Sequence, residues 1–324
     1  MRSVIYEKFG DPAEVLTTAE RLMPEPGAGQ VRLRLVLSPI HNHDLATIAG
    51  TYGFKPQLPA VPGTEALGTV DALGEGVAGL AIGQRVAVNG LGLWSEYFLA
   101  DASRLLPMPD TVPDELACQL LSMPMSAVML LDDLGVASGD WIIQNTANGA
   151  VGKTLAGLAR ARGVNVVNLV RRDAGVAELE ALGIPNAVST ERAGWQGRVK
   201  ELTGGKPIIR AIDSIAGEAA DQIMSTLGEG GVLISFGAMS GKPLVISPAN
   251  LLFKQASVRG FWGQKRAPLL GVEKRSAMVG ELLALAAAGG LQLPIAARFP
   301  LERAGAAAAA SAVPGRPGKI ALHP

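Results

Sequence analysis

The segment Ala147-Asn148-Gly149-Ala150-Val151-Gly152 places small residues where a chain turns from an apolar strand into a helix. Small side chains let the backbone turn tightly and approach a pyrophosphate. The free N–H groups and positive dipole end of a helix starting near Ala150 then point at that anion. The segment fits the dinucleotide-binding pattern G-x-G-x-x-G with alanine in the first position. A second reading competes with it. The run from Ala147 to Gly152-Lys153-Thr154 lacks only the first glycine of a nucleoside-triphosphate P-loop. Ile209-Arg210-Ala211-Ile212-Asp213 resembles the acidic strand that helps hold magnesium in such proteins. The next strand separates the two readings, because it ends in Val170-Arg171-Arg172. An NAD site usually carries an acidic residue there for the ribose 2′-hydroxyl. Two guanidinium groups suit a 2′-phosphate instead, so the expected cofactor is NADPH.

Other reactive side chains are sparse. His41 and His43 stand two residues apart with Asp44 beside them, an incomplete ligand set for a metal ion, and no metal is expected. His41 either meets substrate or ribose in a pocket or is a hydrogen-bonded structural histidine. Cys118 is the single cysteine, which excludes an intrachain disulfide and a structural site of several thiolates. It is expected to behave as a small buried hydrophobe.

The elements that position these residues follow from composition and periodicity. At about 100–200 residues per domain, 324 residues give two domains. Hydrophobic residues are 48% and charged residues 18%, enough for a sizeable core. Lys+Arg and Asp+Glu are 29 each, so nothing in the charge favours nucleic acid or an anionic membrane as partner. Residues 282–288 are too short an apolar run to span a bilayer. The N-terminus reads directly as a strand without a signal segment, and a cytoplasmic location is expected. Residues 31–37 alternate as a half-buried strand does, and dense glycine and proline from Gly50 to Gly83 give the texture of an irregular β domain. From Pro113 the texture changes. Strands over residues 141–144, 165–170, 208–212 and 231–236 alternate with helices over 151–162, 175–182 and 217–227. Residues 115–134 read as helical, with Pro124 as a kink or break. Such alternation predicts a parallel, doubly wound sheet. After about Ser257 the pattern mixes again, with a long helix over 268–288 and an alanine-rich helix stopped by Pro314. The predicted domains are residues 1–113 and 257–324 together, and 114–256 between them.

With these elements in place, three segments resemble a known family. They are Gln144-Asn145-Thr146-Ala147-Asn148-Gly149-Ala150-Val151-Gly152, Asn168-Leu169-Val170-Arg171-Arg172 and Arg259-Gly260-Phe261-Trp262. They resemble zinc-independent medium-chain dehydrogenases/reductases, above all the mitochondrial-type 2-enoyl thioester reductases of fatty acid synthesis. Gly50-Thr51-Tyr52-Gly53-Phe54, Leu58-Pro59-Ala60-Val61-Pro62-Gly63 and Gly318-Lys319-Ile320 extend the resemblance over essentially the whole chain. Quinone reductases share much of this frame. The resemblance implies an α/β fold, with a doubly wound Rossmann sheet and a mainly β, GroES-like catalytic domain. It implies that Asn148, Gly149, Ala150, Val151 and Gly152 wrap the pyrophosphate and that Arg171 and Arg172 hold the 2′-phosphate. Phe236, Gly237, Ala238 and Met239 would line the nicotinamide side, and Phe261, Trp262, Gly263 and Lys319 would close the cofactor site. Tyr52 stands at the position of a catalytic tyrosine, with Trp262 in the neighbouring pocket wall.

The implied reaction is hydride transfer from NADPH to the β-carbon of a 2-enoyl thioester, or alternatively to an enone or quinone. A homodimer is implied, with residues 243–246 and 257–261 available as sheet edges. The chain departs from the family at His41-Asn42-His43-Asp44, where an Asn-Pro-Ser-Asp-like stretch is usual, and at Met123, where an asparagine often meets the cofactor. These departures touch the substrate side and leave room for a non-catalytic NADPH-binding protein. Gly63-Thr64-Glu65 replaces the Gly-His-Glu of zinc alcohol dehydrogenases, so a tetrahedral catalytic zinc lacks its ligands.

Overall fold

The computed structural model describes all residues from Met1 to Pro324 and divides into two units, Met1–Ser122 with Leu293–Pro324, and Met123–Gln292. The first begins with β1 (Arg2–Ile5), α1 (Pro12–Val15) and β2 (Thr17–Glu20), β1 and β2 pairing antiparallel. It continues through β3 (Gln30–Pro39), α2 (Asn42–Ile48), β4 (Glu65–Leu73), β5 (Arg85–Asn89), β6 (Tyr97–Asp101), β7 (Leu106–Pro107) and α3 (Asp114–Ala117). The alternation expected at residues 31–37 is real, since Val31, Leu33, Leu35 and Leu37 are all buried in β3. Burying a side chain of this size stabilises by about 1.5–3 kcal/mol, which fixes the face of β3 and hence its register. β3 pairs antiparallel with β4 and β6, and its last residues lead into α2. Gly63 sits at φ +98° before β4, where a Cβ would run into the Trp94 indole, the largest buried side chain of this core.

The second unit starts with α4 (Met123–Leu134) and runs through β8 (Trp141–Gln144), α5 (Ala150–Ala161), β9 (Asn165–Val170), α6 (Asp173–Ala181), β10 (Ala187–Ser189) and α7 (Trp195–Thr203). It continues with β11 (Ile208–Asp213), α8 (Glu218–Ser225), β12 (Leu227–Ser235), α9 (Pro248–Leu252), β13 (Ser257–Gly260), α10 (Gly263–Arg266) and α11 (Val272–Ala287). Its six strands lie parallel in the order β10-β9-β8-β11-β12-β13. Counted from β8, this is the 3-2-1-4-5-6 order of dinucleotide-binding sheets, and the order reverses between β8 and β11. The chain then returns to the first unit as β14 (Ile295–Pro300), α12 (Ala304–Ala312) and β15 (Lys319–His323), which joins β3. No helix is long and apolar enough to cross a membrane.

The predicted outline needs three corrections. The return to the first unit comes at Leu293, not at residue 257, because β13 pairs with β12 and completes the parallel sheet. Residues 115–134 form two helices rather than one broken at Pro124. Pro124 lies in the first turn of α4, where its missing N–H costs no helical bond. Residues 243–246 form no strand, and of the two predicted edges only β13 lies at a sheet edge, the opposite edge being β10.

Candidate functional sites in the two units

In the second unit the loop from β8 to α5 is built for close approach. Thr146 adopts a left-handed φ of +52°, and Gly149 stands extended before the first turn of α5. A Cβ on Gly152 would lie 2.6 Å from both the Cα and the carbonyl oxygen of Ala147. Only glycine lets α5 pack this tightly on the loop, while the first-turn N–H groups of a helix have no partner inside it. The loop is tied from behind. The Gln144 amide donates to the Gly152 carbonyl at 2.9 Å and to Asn168 Oδ1 at 2.7 Å. Asn145 Oδ1 accepts the Ser214 N–H at 2.8 Å, and its amide donates to Asp213.

These ties exclude the P-loop reading. Lys153 is buried, and its Nζ pairs with Glu178 Oε1 at 2.8 Å, so it does not reach toward a phosphate. Asp213 is fully buried and accepts the N–H groups of Ile215 and Ala216 at 3.1 and 2.9 Å besides the Asn145 amide, which leaves no face for magnesium. Arg171 and Arg172, by contrast, follow β9, are exposed and make no ion pair. A tight cradle beside two uncommitted guanidinium groups fits the pyrophosphate and 2′-phosphate of NADPH.

After β12, Phe236 donates its N–H to the Asp213 carbonyl at 2.8 Å, and a Cβ on Gly237 would lie 2.9 Å from the Ser214 carbonyl oxygen. Ala238 and Met239 follow as exposed residues. Phe236 faces Phe261 at 6.0 Å between ring centroids. Trp262 leads into α10, its ring is partly exposed under Lys265 Nζ at 5.4 Å, and Gly263 lies next to Ser126. Met123 is the partly exposed first residue of α4.

In the first unit, α2, β4 and β15 bring together a polar cluster. The Asp44 carboxylate accepts the His41 N–H at 2.8 Å and so starts α2. His41 Nε2 lies 2.7 Å from Glu65 Oε2, and Glu65 Oε1 accepts the N–H groups of Leu121 and Ser122 at 2.5 and 2.8 Å. Burial pushes the Glu65 carboxyl up to about 8 and lowers His41 well below the usual imidazole range. Lys319 is partly exposed on β15, and its Nζ donates to the Ile40 carbonyl at 3.3 Å. Desolvation brings it down to about 8, against the raising effect of Asp44 and Glu65. His43 Nε2 lies 2.7 Å from Thr64 Oγ1, and Thr64 donates to Asp44 Oδ1 at 2.7 Å. Tyr52 follows α2, partly buried, with its ring 5.9 Å from that of His43.

One sequence expectation changes here. His41 is 0% exposed and held by Glu65, so it has no surface to offer a substrate or ribose and is a structural histidine. The histidine at the surface is His43, with 20% of its side chain exposed. The two histidines, close in sequence, have opposite environments, and Thr64 of Gly63-Thr64-Glu65 supplies the partner of His43. The residues also do not fit a zinc ion. No three His, Cys, Asp or Glu side chains converge as ligands, Thr64 is committed to Asp44, and burial pushes the Cys118 thiol well up, away from the thiolate that binds metal.

Comparison with known proteins agrees with this architecture. Residues 27–110 match the family model of the alcohol dehydrogenase GroES-like domain, and residues 150–277 match the model described as zinc-binding dehydrogenase. The mitochondrial enoyl-(acyl-carrier-protein) reductase of Arabidopsis thaliana is 32% identical over 299 residues, covering 90% of this chain and 80% of the relative. Among solved structures, a putative NADPH:quinone reductase from Bacillus thuringiensis superposes with a TM-score of 0.91 at 26% identity, covering 100% of this chain and 98% of that one. A mycobacterial protein solved in complex with NADPH superposes with a TM-score of 0.87 at 26% identity, with 100% of both chains covered. The chain is a member of the medium-chain dehydrogenase/reductase superfamily, with a GroES-like unit and a Rossmann unit.

Proposed function

We propose that the protein is a zinc-independent, NADPH-dependent reductase that saturates an activated C=C bond, with a 2-enoyl thioester as substrate class. The observation that carries the cofactor assignment is the exposed, unpaired Arg171–Arg172 pair at the end of β9, beside the glycine cradle of α5. The identity with mitochondrial enoyl reductases over most of the chain supports the substrate class. In this reading the first turn of α5 holds the pyrophosphate, Arg171 and Arg172 hold the 2′-phosphate, and Phe236, Gly237, Ala238 and Met239 face the nicotinamide. Bound NADPH supplies the hydride.

As charge builds on the thioester carbonyl oxygen, hydrogen-bond donors must meet it where zinc is absent, and the Tyr52 hydroxyl is that donor. Tyr52 then passes its proton to the α-carbon. Trp262 serves as pocket wall, and His41 holds the loop before α2 without touching substrate. Lys319 belongs to the polar cluster of the first unit, with His43, Asp44 and Glu65.

A second reading, NADPH-dependent reduction of quinones or enones, is favoured by the likeness to the Bacillus quinone reductase. NADPH oxidation with a panel of trans-2-enoyl thioesters, cyclic enones and quinones separates the two by which acceptor turns over. Tight NADPH binding without turnover of any acceptor would favour a non-catalytic binding protein.

The reading includes a homodimer joined along β13, beside which Leu252 and Phe253 are 63% and 84% exposed. It also includes a cytoplasmic location, supported by the lone buried thiol of Cys118. Light scattering and cell fractionation test these two points.

A further inference from the structure

His43 takes no part in the reaction as described so far, yet its surroundings define one tautomer and one open nitrogen. Thr64 has a single hydroxyl hydrogen, and it is committed to Asp44 Oδ1 at 2.7 Å, since a carboxylate only accepts. The 2.7 Å contact between His43 Nε2 and Thr64 Oγ1 is therefore an N–H donated by the imidazole. That leaves Nδ1 as the free lone pair. No hydrogen bond from the protein reaches it, the side chain keeps 20% of its surface exposed, and the ring lies 5.9 Å from Tyr52 at a tilt of 33°. A carboxylate that orients an imidazole through its far nitrogen also stabilises the imidazolium when it forms. Here Asp44 acts through Thr64, with Asp44 Oδ1 itself 3.7 Å from His43 Nε2.

We propose that the Asp44–Thr64–His43 chain is a proton shuttle that restores to Tyr52 the proton it gives to product. The inference rests on the reading of Tyr52 as proton donor. The steps balance without any redox change at the protein. The Tyr52 O–H bond breaks as the α-carbon gains its hydrogen, and the phenolate is left. His43, having taken a proton from solvent at Nδ1, gives that proton to the phenolate oxygen and returns to the neutral tautomer. One solvent proton enters per turnover.

His43 is a positioning and relay residue, because it acts through Tyr52. The groups around it set its titration. Asp44 beside it on α2 favours the charged ring. Burial and Lys319 of β15 disfavour it and hold it below the ordinary imidazole range. The stacked ring of His41 and the Glu65 carboxyl of β4 complete the surroundings. A shuttle of this kind works faster as pH falls toward its own titration, because more of it carries the proton.

The test is steady-state reduction of a trans-2-enoyl thioester across pH by wild type, His43→Gln, Thr64→Val, Thr64→Ser and Tyr52→Phe. NADPH binding and thermal unfolding are followed in parallel. The shuttle predicts that His43→Gln and Thr64→Val lower kcat about a hundredfold or more and lose the acid-side rise. NADPH Kd should stay unchanged, Thr64→Ser should stay close to wild type, and added imidazole should restore part of the His43→Gln rate. Wild-type kcat and pH profile in His43→Gln, with Tyr52→Phe crippled, would overturn the shuttle and leave Tyr52 in its role. Full activity in Tyr52→Phe would overturn the reading on which the shuttle rests.

Discussion

At the residue scale, the two ends of the proposed reaction rest on different physics. Arg171 and Arg172 act by charge. Hydrogen bonds between a guanidinium and a phosphate contribute about 1.5–3 kcal/mol each. The double change Arg171→Ala/Arg172→Ala should therefore raise KM for NADPH at least tenfold and leave KM for NADH nearly unchanged, which initial-rate kinetics with both cofactors will show. Equal losses with both cofactors would remove the 2′-phosphate from the assignment.

Glu65 acts by burial, and its effect is on stability. Its folded pKa of about 8 lies above the ordinary carboxyl value of 4.5, so its contribution is complete below that value and is lost as pH rises through about 8. His41 and His43 are depressed, so their contribution runs the other way, but only below their ordinary value of 6.5. Lys319, lowered to about 8 from 10.5, acts above that window. Between about pH 6.5 and 8 Glu65 dominates, and the Tm of wild type should fall as pH rises there. Glu65→Gln keeps an oxygen for the Leu121 and Ser122 N–H groups and a donor for His41, so its Tm should stay flat, as calorimetry at several pH values would record. The phosphate loop and the arginine pair were legible in the sequence because local spacing carries them. The Glu65 network was not, because His41, Glu65 and residues 121–122 meet only through tertiary folding.

At the element scale, α5 depends on Gly152. A Cβ there would strike backbone at Ala147, so Gly152→Ala has to move the helix off the loop. Overpacking of this kind costs about 1–3 kcal/mol, and the displaced first turn should also weaken NADPH binding at least tenfold, measurable by fluorescence titration. Unchanged affinity would mean that the first turn of α5 does not hold the pyrophosphate. Strands β8 and β9 were readable as short apolar runs, continuously buried in a parallel sheet, and helix α5 from its apolar residues at helical spacing. Strand β10 was missed because three residues make no period. Helix α7 was missed although Trp195, Val199 and Thr203 recur on one face, since its composition is otherwise polar.

At the scale of the whole molecule, the sequence pattern conveyed two units and a parallel, doubly wound sheet, but neither the strand order nor where the chain crosses back. Strand β13 is short and mostly exposed, so it reads as a change of texture although it completes the parallel sheet. The same strand is one of the two sheet edges, and with Leu252 and Phe253 exposed beside it, Phe253→Asp should convert a dimer to a monomer in light scattering. A monomeric wild type would remove that assembly.

The most direct measurement is NADPH oxidation by the wild-type protein and by Tyr52→Phe with a trans-2-enoyl thioester. The proposed reaction predicts turnover that prefers NADPH over NADH, with kcat lowered about a hundredfold or more in Tyr52→Phe and KM for NADPH unchanged. No thioester turnover by the wild-type protein, or equal kcat in the two proteins, would contradict it.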